Sequence, residues 1–157
     1  MLKKLKWIVL GLVAIGIIVL TYIVTLVRYA ETEVTAMIAY TASIEAMPEV
    51  VSVQQVHRFN GLESYIVARV EHENGEDVYF FVRDGEVQEW FFSAELIDEN
   101  AANVIAERLI RDGEIIKTQL GILEENPIFE VQIRDEETVH YIIIHAQTRV
   151  VIMHFYL

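Results

Sequence analysis

From Trp7 to Val27 the chain carries no charged residue. At 1.5 Å of rise per helical residue this run is long enough to cross roughly 30 Å of hydrocarbon. No other segment narrows the choice of folds as much, because a stretch this apolar belongs either in a membrane or at the centre of a large core. Its flanks favour the membrane. Lys3, Lys4 and Lys6 precede it, and Arg28 stands alone behind it, soon followed by Glu31 and Glu33. The positive-inside bias predicts a single-pass span with the N-terminus in the cytoplasm and residues 29–157 outside. Trp7 and Tyr22 or Tyr29 suit the two interfaces, and Gly11 and Gly16 are compatible with a span. A cleaved signal peptide would have a shorter apolar core ending in a small-x-small site, which Ile23 to Arg28 does not offer.

All twenty-four Asp and Glu lie beyond the run, against nine of the twelve Lys and Arg, so the remainder carries a net charge of about −15. Such a surface repels nucleic acid and anionic lipid heads. Neither DNA nor RNA is expected as a partner. The chain has no cysteine. That removes disulfides, thiolate metal sites, a thiol nucleophile and a lipid-bearing cysteine anchor, and it says nothing against an extracytoplasmic location.

Tyr29 to Met47 is predicted as a helix that continues from the span or hinges on it, and Pro48 stops it. Strand-like runs follow, separated by Asn60-Gly61, Asn74-Gly75 and Asp84-Gly85. Asn-Gly and Asp-Gly favour tight hairpins because type I′ turns need positive φ at both central residues. The runs Val51–Phe59, Tyr65–Glu71, Val78–Arg83 and Val87–Phe92 therefore predict an antiparallel meander. A second helix is expected over Asp98–Asp112, with Asp98 as N-cap and Gly113 at C′. Four more strands are predicted at Ile115–Leu123, Ile128–Arg134, Thr138–His145 and Val150–Tyr156. The fold class is α+β, a helix plus about four strands, twice. Ser64-Tyr-Ile-Val-Ala-Arg-Val with Val78-Tyr-Phe-Phe-Val answers to Ile128-Phe-Glu-Val-Gln-Ile with His140-Tyr-Ile-Ile-Ile, as an internal duplication would. The domain division read from this is 1–28 for the cytoplasmic stub and span, 29–93 for the first αβ unit and 94–157 for the second.

No catalytic constellation is visible. His57, His72, His140, His145 and His154 form no His-x-His or His-Glu-x-x-His pair. His140 and His145 point to opposite faces of one strand. The acidic groups Glu71, Glu73, Glu76 and Asp77, and Asp135-Glu136-Glu137, read as solvated hairpin tips. Ser43, Ser52, Ser64 and Ser93 have no evident base, and no Gly-x-Ser-x-Gly or Ser-x-x-Lys occurs. The expectation is a protein without catalytic residues, cofactor or metal. The consecutive aromatics Tyr79-Phe80-Phe81 and Trp90-Phe91-Phe92 need cover on both sheet faces. A shared core supplies one explanation. A partner surface that includes Tyr79, Phe81, Trp90 and Phe92 is the functional one. The last strand also offers an open edge.

Two segments resemble a known family. They are Val53-Gln-Gln-Val-His-Arg-Phe-Asn-Gly-Leu-Glu-Ser-Tyr-Ile-Val with Asp77-Val-Tyr-Phe-Phe-Val, and Phe129-Glu-Val-Gln-Ile with Tyr141-Ile-Ile-Ile-His-Ala-Gln-Thr-Arg-Val-Val. Together with the N-terminal span they are similar to the cell wall elongation regulator TseB-like (YpmB) proteins of Gram-positive bacteria, whose ectodomains are tandem PepSY-like, cystatin-like units. In the closing PepSY turn, Asp-x-x-Thr-Gly, this chain has His145 for the acid and Arg149 for the glycine. The resemblance implies a membrane-anchored extracytoplasmic adaptor that binds a class B penicillin-binding protein and regulates peptidoglycan elongation. It attaches no catalytic residues. PepSY units also occur in protease propeptides, so the alternative is an inhibitor or regulator of an extracellular protease. A glycan- or cation-binding module is a third reading.

Overall fold

The computed structural model describes the backbone of residues 2–157 and the side chains of residues 15–29 and 31–157. The chain divides into two compact units, Met1–Ala39 and Tyr40–Leu157. The first is helical, part of one uninterrupted helix α1 (Leu2–Glu45). Over Ile15–Glu45 α1 is long and apolar enough to cross a membrane, with a mean hydropathy of 1.5 in its most apolar window. Thr21 and Thr25 donate to the carbonyls of Ile17 and Thr21, so these hydroxyls are satisfied within the helix. Lys3, Lys4, Lys6, Trp7 and Gly11 lie outside the residues whose side chains are described.

The second unit holds two four-stranded antiparallel meanders. The N-terminal sheet runs in the order β1 (Val50–Asn60), β2 (Ser64–His72), β3 (Asp77–Arg83) and β4 (Glu86–Phe92). A 3-10 turn at Ser93–Glu95 leads to α2 (Glu99–Glu107). The C-terminal sheet follows as β5 (Glu114–Leu123), β6 (Asn126–Asp135), β7 (Thr138–His145) and β8 (Val151–Tyr156). Every predicted strand is present, displaced by no more than two residues at either end.

The turns follow their chemistry unevenly. Asp84 and Gly85 have φ of 54° and 82°, as a type I′ hairpin requires. Gly75 has φ of 81°, and its N–H donates to the His72 carbonyl at 2.8 Å. Gly61 is not left-handed, so Asn60-Gly61 opens a longer loop and not the expected tight turn. The β5–β6 hairpin does the converse. Its two central residues are Glu124 (φ 49°) and Glu125 (φ 66°), and no glycine announces it. Arg149, standing where the resembled motif has glycine, has φ of 65°.

Helix α2 is shorter than Asp98–Asp112. Asp98 caps it as expected, accepting the Ala101 N–H at 2.7 Å. The helix ends at Glu107, and Gly113 is no left-handed C′ residue. A Cβ at Gly113 would collide with Ile133 on β6, so the glycine serves close packing onto the sheet.

One hydrophobic core joins the two sheets. Phe59, Val67 and Phe81 come from one face of the N-terminal sheet, and Ile122, Ile128 and Ile143 from the C-terminal sheet. The core continues into α2 through Ala102 and Ala106, packed over Val131, Ile133 and Ile142. The opposite face of the N-terminal sheet is buried as well, through Ile66, Ala68, Val70, Val78, Phe80 and Val82. The turn Met47–Glu49 brings the end of α1 back to this side, with Val50 N–H donating to Met47 O at 3.1 Å and Ile44 fully buried. The unit is thus layered as helix end, sheet, sheet and helix.

At Gly121 the sheets pack so tightly that the Phe59 ring occupies the space a Cβ would take. Gly121→Ala is expected to lower stability by about 1–3 kcal/mol, because neither the buried ring nor the strand backbone can retreat. Arg149→Gly and Glu125→Gly should each raise it by about 1 kcal/mol by relieving left-handed strain. Urea unfolding of the three variants checks both signs.

Candidate functional site

Sequence periodicity sends His57, Phe59 and, across the pair, Val67 to the face of the N-terminal sheet that meets β5. Phe59 fills the contact. His57, two residues earlier, sits where the sheets diverge, and its Nε2 lies 2.8 Å from the Leu120 carbonyl oxygen. A carbonyl only accepts, so Nε2 carries the proton and donates, which leaves Nδ1 as an acceptor. Burial holds the imidazole below its ordinary value of 6.5, opposed by this hydrogen bond.

Beyond His57 the diverging sheets form a groove of about 370 Å³, lined by Gln55, Arg69, Tyr79, Lys117 and Gln119 and floored by Leu120 and Phe129. The connection Ser93–Glu99 closes one side. Arg69 Nη2 donates to Asp77 Oδ2 at 2.6 Å, and Gln54 donates to the other carboxylate oxygen at 2.7 Å. The bond to Arg69 holds the Asp77 carboxyl below its usual range, and the same bond raises Arg69. The guanidinium lies 5.9 Å from the Tyr79 ring centroid. Both partners are about a third exposed, so this pair fixes the orientation of Arg69 more than it stabilises the fold.

A second groove, of about 440 Å³, opens at the opposite end of the same junction, between β2, β3 and the β5–β6 hairpin. Arg83 donates to Glu63 and, at 3.2 Å, to the Tyr65 hydroxyl, which itself donates to Glu63. Burial, with the Glu63 hydrogen bond second, raises the Tyr65 phenol. Glu89 and the left-handed pair Glu124-Glu125 complete an acidic rim.

The structure separates the four aromatic residues singled out above. Tyr79 lines the first groove. Phe81 is fully buried and meets Phe91 edge to face at 5.8 Å, so it is a core side chain with no surface to offer. Trp90 and Phe92 occupy the other sheet face, opposite Phe80 and Val78 on the outer strand β4. Their rings meet edge to face at 5.1 Å, and Trp90 stays 53 % exposed. The histidines also regroup. His140 and His154 lie apart in sequence, yet β7 and β8 bring Nδ1 and Nε2 to 3.1 Å. Among the described residues no three His, Asp or Glu side chains converge as a metal-ligand set. The hidden role of His57 had one sequence signal, its spacing of two from Phe59 on a strand.

No protein-family model matches the chain, and no curated protein does. Solved structures match. The YpmB protein from Bacillus subtilis superposes with a TM-score of 0.64 at 19 % identity, over 76 % of this chain and 95 % of that one. A candidate lipoprotein from Clostridium difficile 630 gives a TM-score of 0.40 at 11 % identity, over 67 % and 82 %. The first likeness shows a YpmB-like fold, and the second is too slight to argue from.

Burial disfavours protonation of His57 in the native state, while the unfolded chain protonates it near 6.5. Its contribution to stability is therefore complete above that pH and lost as the pH falls below it. Between pH 7.5 and 5 the urea midpoint of the wild type should fall further than that of His57→Gln, whose amide can still donate to Leu120.

Proposed function

We propose that the chain is a membrane-tethered, non-catalytic accessory protein of cell-wall elongation, which acts by binding a class B penicillin-binding protein. In this reading the N-terminus is cytoplasmic and the two sheets, as a fused pair of PepSY-like units, lie outside. The observation that carries it is the union, in one chain, of an apolar N-terminal helix with a two-sheet domain matching 95 % of the solved YpmB chain. The lysines before the span support the orientation. The grooves support binding over catalysis, because the arginine in each is tied to a carboxylate and the histidine to the backbone. Arg69 is engaged by Asp77, Arg83 by Glu63, and His57 by a backbone carbonyl.

Purification of the full-length chain from crosslinked bacterial membranes tests the reading. A penicillin-binding protein is expected among the products, and its yield should fall roughly tenfold with Trp90→Ala if that half-exposed ring anchors the contact. Recovery of no wall-synthesis protein sinks the proposal. Capture of an extracellular protease would move the chain to the class of protease regulators.

A further inference from the structure

Among the described residues the C-terminal sheet ends on an open edge. In the order β5-β6-β7-β8, β8 pairs with β7 on one side, and among the described residues no strand lies on its other side. Leu157 and Val139 exchange both backbone hydrogen bonds, at 3.0 and 3.3 Å. Antiparallel pairing alternates, so Phe155 and Met153 also direct their N–H and C=O groups at β7, whereas Tyr156 and His154 direct theirs outward.

Sheets usually protect such an edge with charge, proline or short length. The other outer strands of this unit are managed. β4 carries Glu86 and Glu89, and β1 and β5 meet each other across the sheet junction. β8 has no Lys, Asp, Glu or Pro. Apart from His154 it is apolar, and both faces are open. Ile152 is 46 % exposed, Met153 48 %, Phe155 39 %, Tyr156 71 % and Leu157 81 %.

We infer that β8 is a dimerisation edge, occupied by β8 of a second copy of this chain in antiparallel register about His154. Three observations select a second copy. The outward-facing residue His154 can lie on a twofold axis and pair with itself, as an isologous contact requires. That single register sets Met153 against Phe155 of the second copy, Ile152 against Tyr156 and Val151 against Leu157, apolar against apolar on either side of the central His154 pair. The acidic charge of the chain lies outside this strand, so two copies meet where their repulsion is least. The two C-terminal sheets become one eight-stranded sheet, and the edge disappears.

The lack of native cysteine makes the register testable in the full-length chain. His154→Cys places two thiols across the axis at a Cα separation of about 5.5 Å, within disulfide range. Met153→Cys is offset by two residues from its own copy and falls outside that range. Leu62→Cys, exposed on a distant loop, reports random collision. Under mild oxidation in detergent, His154→Cys should form disulfide-linked dimer at least tenfold faster than either control. Tyr156→Lys, which leaves the inward ladder untouched, should convert a dimer to a monomer in sedimentation velocity. Equal crosslinking at all three positions, a wild-type chain that sediments as a monomer, or crosslinking of Cys at 154 to a different protein alone would each overturn the inference.

Discussion

The contact between the Phe59 ring and the bare backbone of Gly121 governs the rest of the domain. Two four-stranded meanders, each helix-covered on one side, retain one apolar face apiece. Neither sheet is stable with that face in water. The Phe59 ring seats itself where Gly121 lacks a side chain, in the space a Cβ would take. Once the ring is seated, β1 and β5 are close enough for His57 to donate to Leu120, and the buried residues of both sheets merge into one core. The two grooves are the residue of the same constraint. Twisted sheets that touch at one point must diverge on either side of it.

Divergence explains where polar chemistry collects. Strands β2 and β3 send Val67 and Phe81 into the centre of the junction, and the same alternation sends Arg69, Tyr79, Tyr65 and Arg83 to its two ends. Each end assembles an Arg, a carboxylate and a Tyr. The internal repetition seen in the sequence thus gives two related sheets. The pseudo-symmetry of the polar sites belongs instead to the two ends of one sheet.

Period-two patterning and turn residues made the eight strands legible, because those signals are local. Asp98 as an N-cap was legible for the same reason. What local signals mislaid depends on tertiary neighbours. Gly61 and Gly113 looked like turn and cap residues, but their glycines answer to Phe59 and Ile133. Glu124-Glu125 forms a left-handed turn without any of the residues that favour one, because the register of β5 against β6 leaves two residues to reverse the chain. Phe81 read as a candidate surface aromatic because a run of three aromatics does not say which face is covered. The His140–His154 contact was hidden because it joins two strands, and pairwise spacing within one strand cannot reveal it.

The pairing of Phe59 with Gly121 also has a temporal side. Synthesis is vectorial, so the N-terminal meander is complete about 30 residues before the glycine that receives its ring has been made, an interval of a few seconds at usual elongation rates. Throughout that interval a finished sheet presents Phe59, Val67 and Phe81 unclothed. A nascent chain in this state is sticky by construction, and its safe passage depends on whatever shields it until β5 emerges.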